Sequence, residues 1–284
     1  MKEKAIKLIF LACGLLTIGF VLLITIFLVI SGIPAIREIG LSEFLTGIRW
    51  ASTAAEPSYG ILPFILTSLY GTCGAILIGV PVGLLCAVFL AKMAHPAVSG
   101  IVRNVVDLLA GIPSVVYGLI GMILVVPWVR ETFGLPDGAN LFSAILVLAV
   151  MILPSVISVS ETAIKAVPKE YEEASLALGA TMTETVFKVV VPAAKSGIVT
   201  AVVLGVGRAV GEAMAVMMVS GNVANMPGLF KSVRFLTTAV ASEMSYSSGL
   251  QRQALFSIAL VLFLFIMMIN LLLNLAVKGG GKHD

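Results

Sequence analysis

The sequence predicts an all-α polytopic membrane protein with six transmembrane helices and both termini on the cytoplasmic side. Three observations carry this. First, 59% of the 284 residues are hydrophobic and 12% charged, with a mean hydropathy of +1.11. A soluble domain carries roughly 25% charged residues, so this chain could not cover a water-facing surface. Second, apolar runs recur at about the 20-residue length that a bilayer span requires. Third, six spans would put eleven Lys and Arg residues on one side and six on the other, with Arg208 inside a span; the richer side is cytoplasmic by the positive-inside rule. The net charge of +3 marks no basic surface for nucleic acid. Cys13, Cys73 and Cys86 lie in apolar runs without metal-ligand spacing, and His95 and His283 are isolated. The cysteines read as small hydrophobes, and no metal site is expected.

The basic start leads into an apolar run from about Leu8 to Ser31. A cleaved signal has a core of roughly 7–15 residues, so this longer run reads as a retained first helix. With an external loop to Tyr59 it forms a first unit, residues 1–59, and residues 60–284 form the main transmembrane domain. Helix 2 is expected from Gly60 to Ala91, with Pro63 tolerated in its first turn and Pro81 kinking its interior. Lys92 to Gly100 is a link. Helix 3, Ile101 to Val129, is interrupted at Gly111-Ile112-Pro113-Ser114, because proline removes a donor and disfavours helix at the residue before it. Such a break must be covered by protein or line a polar cavity. A loop through Gly134 and Pro136 precedes helix 4, Asn140 to Ser160, itself interrupted at Pro154. Helix 5, Ser196 to Gly221, is glycine-rich, which favours close helix approach. Asn222 to Gln251 reads as a loop carrying a short helix at the surface. Helix 6 runs from Ala254 to Val277, ahead of a polar tail.

Between helices 4 and 5 lies a polar, helix-prone island, Glu161 to Lys195, with nine of the chain's 18 Lys/Arg and 15 Asp/Glu. Its first helix is expected from Lys169 to Leu178, with Pro168 at the start and Glu170, Glu172 and Glu173 where the helix dipole favours acids. Gly179 stands at a C-terminal cap position, and Thr181 or Thr183 starts a second helix. On these signals alone, a docking element and a plain connector are equally good readings. A phosphate-binding loop requires G-x-x-x-x-G-K-[ST]; the one Gly-Lys pair, Gly281-Lys282, is followed by His283. If transport here uses ATP, another chain hydrolyses it, and no nucleophile–base pair marks this chain as an enzyme.

The spacing Glu173-Ala174-Ser175-x3-Gly179-x9-Val189-x-Val191-Pro192 resembles the cytoplasmic coupling loop of type I ABC importer permeases, E-A-A-x3-G-x9-I-x-L-P. Ser175, Val189 and Val191 are conservative departures from it. The segments Tyr59 to Pro63, Ala110 to Gly118 and Gly207 to Val216 are similar to phosphate-specific permeases, and to one of their two sister subunits more than the other. The resemblance runs from about Ile61 through helix 6. It implies a multi-pass protein of a prokaryotic cytoplasmic (inner) membrane that moves inorganic phosphate across the lipid bilayer. It implies a second permease subunit, two ATP-binding subunits that hold ATP and magnesium, and an extracytoplasmic phosphate-binding protein. No cofactor would be bound by this chain. Glu172, Glu173, Ala174, Ser175, Gly179, Ala180 and Pro192 would form the surface that couples to the ATPases.

Candidate pathway residues are Arg208, Glu212, Asp107, Ser114 and Tyr117. Arg208 and Glu212, four apart, would share one helix face. Arg208 lies about 18 Å up from Ser196 at 1.5 Å per residue, near mid-membrane, where an arginine costs on the order of 3 kcal/mol and must face protein or water. Its guanidinium fork matches phosphate oxygens, and Glu212 would neutralise it at rest. The competing reading is an ion pair that orders helix packing. Asp107 reads more readily as structural, paired with an arginine or capping the break in helix 3. Ser114 and Tyr117 stand beside that break, either lining a path or satisfying their own helix. Two other functions stay open. One is a permease for sulfate or molybdate, or the sister phosphate subunit; the other is an ATP-independent channel or ion-coupled carrier, which an inverted repeat of broken helices would favour.

Overall fold

The computed structural model describes the backbone of residues 2–279 and the side chains of residues 6–271. The end of the polar tail, including Gly281, Lys282 and His283, lies outside the described residues. So do the side chains of Lys2, Lys4 and Lys278, which entered the charge argument.

The chain is helical almost throughout. Five helices are long and apolar enough to cross a membrane, or six if Met182–Ala193 and Lys195–Gly211, bent by 70°, count as one span. α1 (Lys2–Ile39) extends past the predicted apolar run and stops at Gly40, whose φ is +93°. α2 (Leu41–Thr46) and a two-stranded hairpin, β1 (Trp50–Ala51) and β2 (Ser58–Tyr59), follow it. α3 (Leu62–Val88) continues through a π-helical turn, Phe89–Met93. α4 (Pro96–Gly111) ends at the predicted break. α5 (Ser114–Ile120) runs through a second π turn into α6 (Val126–Phe133), so the span in this region is Ser114–Phe133 rather than Ile101–Val129.

α7 (Leu141–Lys165) is the central helix. Its apolar window is 61% buried inside the protein, whereas that of α1 is 0% buried; one is core and the other is covered by whatever surrounds the chain. Glycines on α3 let it lie against α7: a methyl group at Gly79 would come within 2.7 Å of Ile152. Pro154 does not interrupt α7, contrary to the sequence reading. The residues around it are packed against α3, α4 and α11 (Lys195–Gly211), and an enclosed membrane helix tolerates the missing hydrogen bond.

The island folds as α8 (Lys169–Ala177), α9 (Met182–Thr185), a third π turn at Val186–Val190 and α10 (Val191–Ala193). Helix 5 is not continuous. α11 stops at Gly211, and α12 (Met214–Val219) resumes after Glu212-Ala213. α13 (Leu236–Glu243) lies where a surface helix was expected, but it buries Leu236, Thr237, Thr238 and Ala239. α14 (Gly249–Gly279) closes the chain.

α14 returns antiparallel to α1, with Phe27 edge-on to Phe256 at 5.4 Å and Ser257 Oγ donating to the Gly32 carbonyl. Both termini therefore lie at one end. α3 brings Lys92 to Glu172 of α8 at that same end. The opposite end is closed by a core of Phe44, Trp50, Tyr59, Phe64, Leu236 and Leu255. It is fastened by Glu243, which accepts from Trp50 Nε1 at 3.2 Å and Gln251 Nε2 at 3.2 Å and pairs with Arg234.

Candidate translocation site and coupling surface

The first break follows from proline. Pro113 has no N–H to offer the Leu109 carbonyl. That carbonyl instead accepts the Tyr117 hydroxyl at 2.7 Å and a strained contact from Ile112 N at 3.3 Å. Tyr117 is thus buried, with its hydroxyl engaged in repairing its own helix. Ser114 opens α5 and is half-buried.

The second break carries no proline. Glu212 leaves the helix at ψ 128°, and its side-chain Oε1 accepts the Ala215 N–H at 2.9 Å, capping α12. Its own carbonyl accepts the Thr237 hydroxyl from α13 at 2.7 Å. Both backbone groups freed by the break therefore have partners, as burial in a membrane demands. This corrects the expected pairing: Arg208 and Glu212 do not share a helix face, because Glu212 stands beyond the end of α11. Arg208 is half-buried and makes no hydrogen bond or ion pair among the described residues.

The two breaks meet. α5 packs on α12 so closely that a methyl group at Gly118 would sit 2.8 Å from Ala215 Cα. Arg208 lies near enough to Tyr117 for its charge to act on the phenol. Ser114, Tyr117, Arg208 and Glu212 thus belong to one junction of interrupted helices, with a guanidinium that no protein acid neutralises. Asp107 stands apart. It is exposed and lines a cavity of about 300 Å³ with Arg103, Glu161 and Lys165. The arginine on its helix, Arg103, is taken by Glu161, with Nε at 2.8 Å, and Glu161 also holds Lys165 at 2.6 Å. Asp107 makes no such pair among the described residues. The sequence reading missed this triad; its signal was an acid at the end of helix 4 and a base near the start of helix 3.

In the coupling loop the expected local chemistry forms. Gly179 takes φ +89° after α8, and its N–H donates to the Leu176 carbonyl at 2.9 Å, with Ala180 N reaching the Ser175 carbonyl at 3.3 Å. Thr181 caps α9 in a reciprocal box with Glu184. The Thr181 backbone N–H, the Lys188 ammonium and the Thr181 hydroxyl hold the Glu184 carboxyl at about 2, below its ordinary 4.5. Glu173, Ala174 and Pro192 are exposed. Tyr171, Leu178, Met182 and Phe187 add apolar surface around the turn, Leu178 being 90% exposed. A contiguous exposed apolar patch rimmed by charge marks an interaction surface. Glu172 points the other way, to Lys92, and Ser175 shares a hydrogen bond with Thr185 at 2.9 Å. Among the described residues no group of three or more His, Cys, Asp or Glu side chains is placed to hold a metal ion.

A family model described as a binding-protein-dependent transport system inner membrane component matches residues 79–279. The chain is 41% identical over 275 residues to the probable ABC transporter permease protein YqgH of Bacillus subtilis (strain 168), an alignment covering 94% of this chain and 89% of that one. It is 34% identical over 280 residues to the phosphate transport system permease protein PstC of Haemophilus influenzae, covering 91% and 88%. Among solved structures, an inward-facing form of the MetNI methionine ABC transporter matches with a TM-score of 0.59 at 22% identity, over 78% of this chain and 95% of that one. A bacterial alginate ABC transporter matches with a TM-score of 0.63 at 16% identity, over 96% and 94%. At those identities the likeness is one of fold. An exposed coupling loop, a junction of broken membrane helices and these relatives agree: the chain belongs to the family of binding-protein-dependent transport system inner membrane components, as a permease subunit of an ABC importer.

Proposed function

We propose that this permease carries inorganic phosphate, as one of two membrane subunits of an ATP-driven importer. The observation that carries the reading is Arg208. It is a half-buried guanidinium at the junction of two broken helices, and no protein carboxylate pairs with it among the described residues. A planar fork of donors in a poorly hydrated site suits a tetrahedral oxyanion. With no permanent acid partner, it can take up and release an anion without first breaking an ion pair. Relatives named as phosphate transport permeases support phosphate as that anion.

The remaining parts of the machine follow from this reading. An extracytoplasmic binding protein delivers phosphate at the end closed by Trp50 and Glu243. A sister permease completes the path. Two ATP-binding subunits, carrying ATP and magnesium, dock on the exposed face of α8 and the turn at Gly179 from the cytoplasmic side of the inner membrane. This chain itself transports and does not hydrolyse ATP.

The test is purification of the chain with its partners, followed by labelled-phosphate uptake with sulfate as competitor. Phosphate uptake unaffected by sulfate is expected; competition by sulfate assigns another oxyanion, and uptake by the chain reconstituted alone assigns an ATP-independent carrier. Arg208→Ala should assemble normally and abolish uptake, and full uptake by that variant removes Arg208 from the pathway.

A further inference from the structure

α8 buries none of its nine residues. A helix without a buried face is not positioned by apolar packing, and a cavity of about 320 Å³, lined by Tyr171, Ala163 and Gly197, separates it from α7 and α11. Its side chains make two printed polar tethers. Ser175 reaches Thr185, within the same loop. Glu172 reaches Lys92, in a membrane helix 80 residues earlier. The side chains of that pair are only 15% and 13% exposed, so separating them would leave a charge in poorly hydrated surroundings. The pair is therefore a stiff connection.

Lys92 belongs to the π turn that continues α3, and the two form one helical body from Leu62 to Met93. At 1.5 Å per residue such a body is on the order of 48 Å long. At its far end Ser68 Oγ accepts the Leu236 N–H, the first of α13, at 3.0 Å. Gly71 leaves room for the Phe235 ring. The residue after Leu236 is Thr237, whose hydroxyl holds the Glu212 carbonyl at the second break.

We propose that α3 is a strut that carries displacement of α8 to α13 and the second helix break, with Lys92 and Ser68 as its two positioning residues. The role rests on the reading of α8 as the element that the ATP-binding subunits move. Movement of α8 draws on Lys92, α3 shifts as one body, and Ser68 and Thr237 pass that shift to Glu212, beside Arg208. Access to the anion site would thus be set from the cytoplasmic side through one continuous line of contacts.

The experiment uses the assembled transporter. In Lys92→Met the subunits should co-purify and ATP hydrolysis should stay close to wild type, while phosphate moved per ATP hydrolysed falls roughly five- to tenfold, the size of a typical coupling between sites. Lys92→Glu combined with Glu172→Lys should restore the ratio. Trapping the complex with ATP should change hydrogen exchange at the Leu236 amide in the wild type and leave it unchanged in Lys92→Met. An unaltered transport-to-hydrolysis ratio in Lys92→Met overturns the strut. If that variant fails to assemble, a charge-swapped pair that assembles without recovering the ratio overturns it equally. Wild-type complex that takes up no phosphate defeats the functional reading alone, because the exchange at Leu236 still reports whether α8 and α13 are linked.

Discussion

At Pro113 a membrane helix breaks because a donor is missing; at Glu212 one breaks although every residue around it carries its N–H. The first break is repaired from within, by a tyrosine one turn further on that reaches back to the Leu109 carbonyl. The second is made and held from outside, by a side chain that caps α12 and a threonine on α13 that takes the remaining carbonyl. A break written into the backbone persists whatever surrounds it. A break maintained by contacts exists only while α13 stays in place. Of the two, the second is the one that a moving neighbour can open or close, and Arg208 lies four residues before it.

This contrast can be broken experimentally. The largest effect is expected at Glu212. Glu212→Ala leaves the Ala215 N–H without its partner in a membrane interior, a loss of about 1–3 kcal/mol, and uptake should fall with it; thermal unfolding of the purified complex and phosphate transport measure the two. Tyr117→Phe should cost about 1 kcal/mol in the same unfolding assay but leave the break in position, because Pro113 still enforces it. Continuous helix across residues 109–117 in that variant, by spin-label distances, would refute the backbone origin. Thr237→Val keeps size and removes the donor to Glu212, with a cost of about 0.5–1.5 kcal/mol. It should loosen the second break and not the first, read as faster hydrogen exchange at 212–215 with 109–113 unaffected. The smallest effect lies in the coupling loop. The Glu184 carboxyl is held near 2, below its ordinary 4.5, so it protonates more readily when unfolded. Its stabilisation of the α9 start is therefore complete above about 4.5 and is lost as pH falls through about 2. Exchange protection at 181–185 should persist at pH 4 and vanish near pH 2, and Glu184→Gln should flatten that dependence.

What the sequence made legible was local chemistry. Apolar runs mark spans wherever they fall, Pro113 marks a missing donor, and Gly179 and Thr181 mark a turn and a cap that four or five residues complete between themselves. What escaped was chemistry completed from a distance. Glu212 ends α11 with the help of Thr237, 25 residues on, so helix 5 read as continuous. Glu172 looked like a member of the docking face because Lys92, 80 residues earlier, is its partner. Pro154 misled in the opposite direction, since surrounding helices keep α7 whole. The 222–251 segment read as a surface loop because its polar threonines gave no sign of burial; in the structure Thr238 bonds back to the Phe235 N–H and Thr237 to Glu212.

The π turn at Phe89–Met93 has a consequence for how this chain tolerates change. A π turn is an α-helix holding one surplus residue, with the Ala94 N–H reaching five places back to Phe89. Deleting a single residue there would let the ladder revert to its ordinary period, and every side chain beyond would rotate by about 100° relative to α3. Lys92 would turn away from Glu172 without any charge having been altered. The helical phase at this point, as well as the residues themselves, is under constraint, and a one-residue deletion in 89–91 should mimic the loss of Lys92.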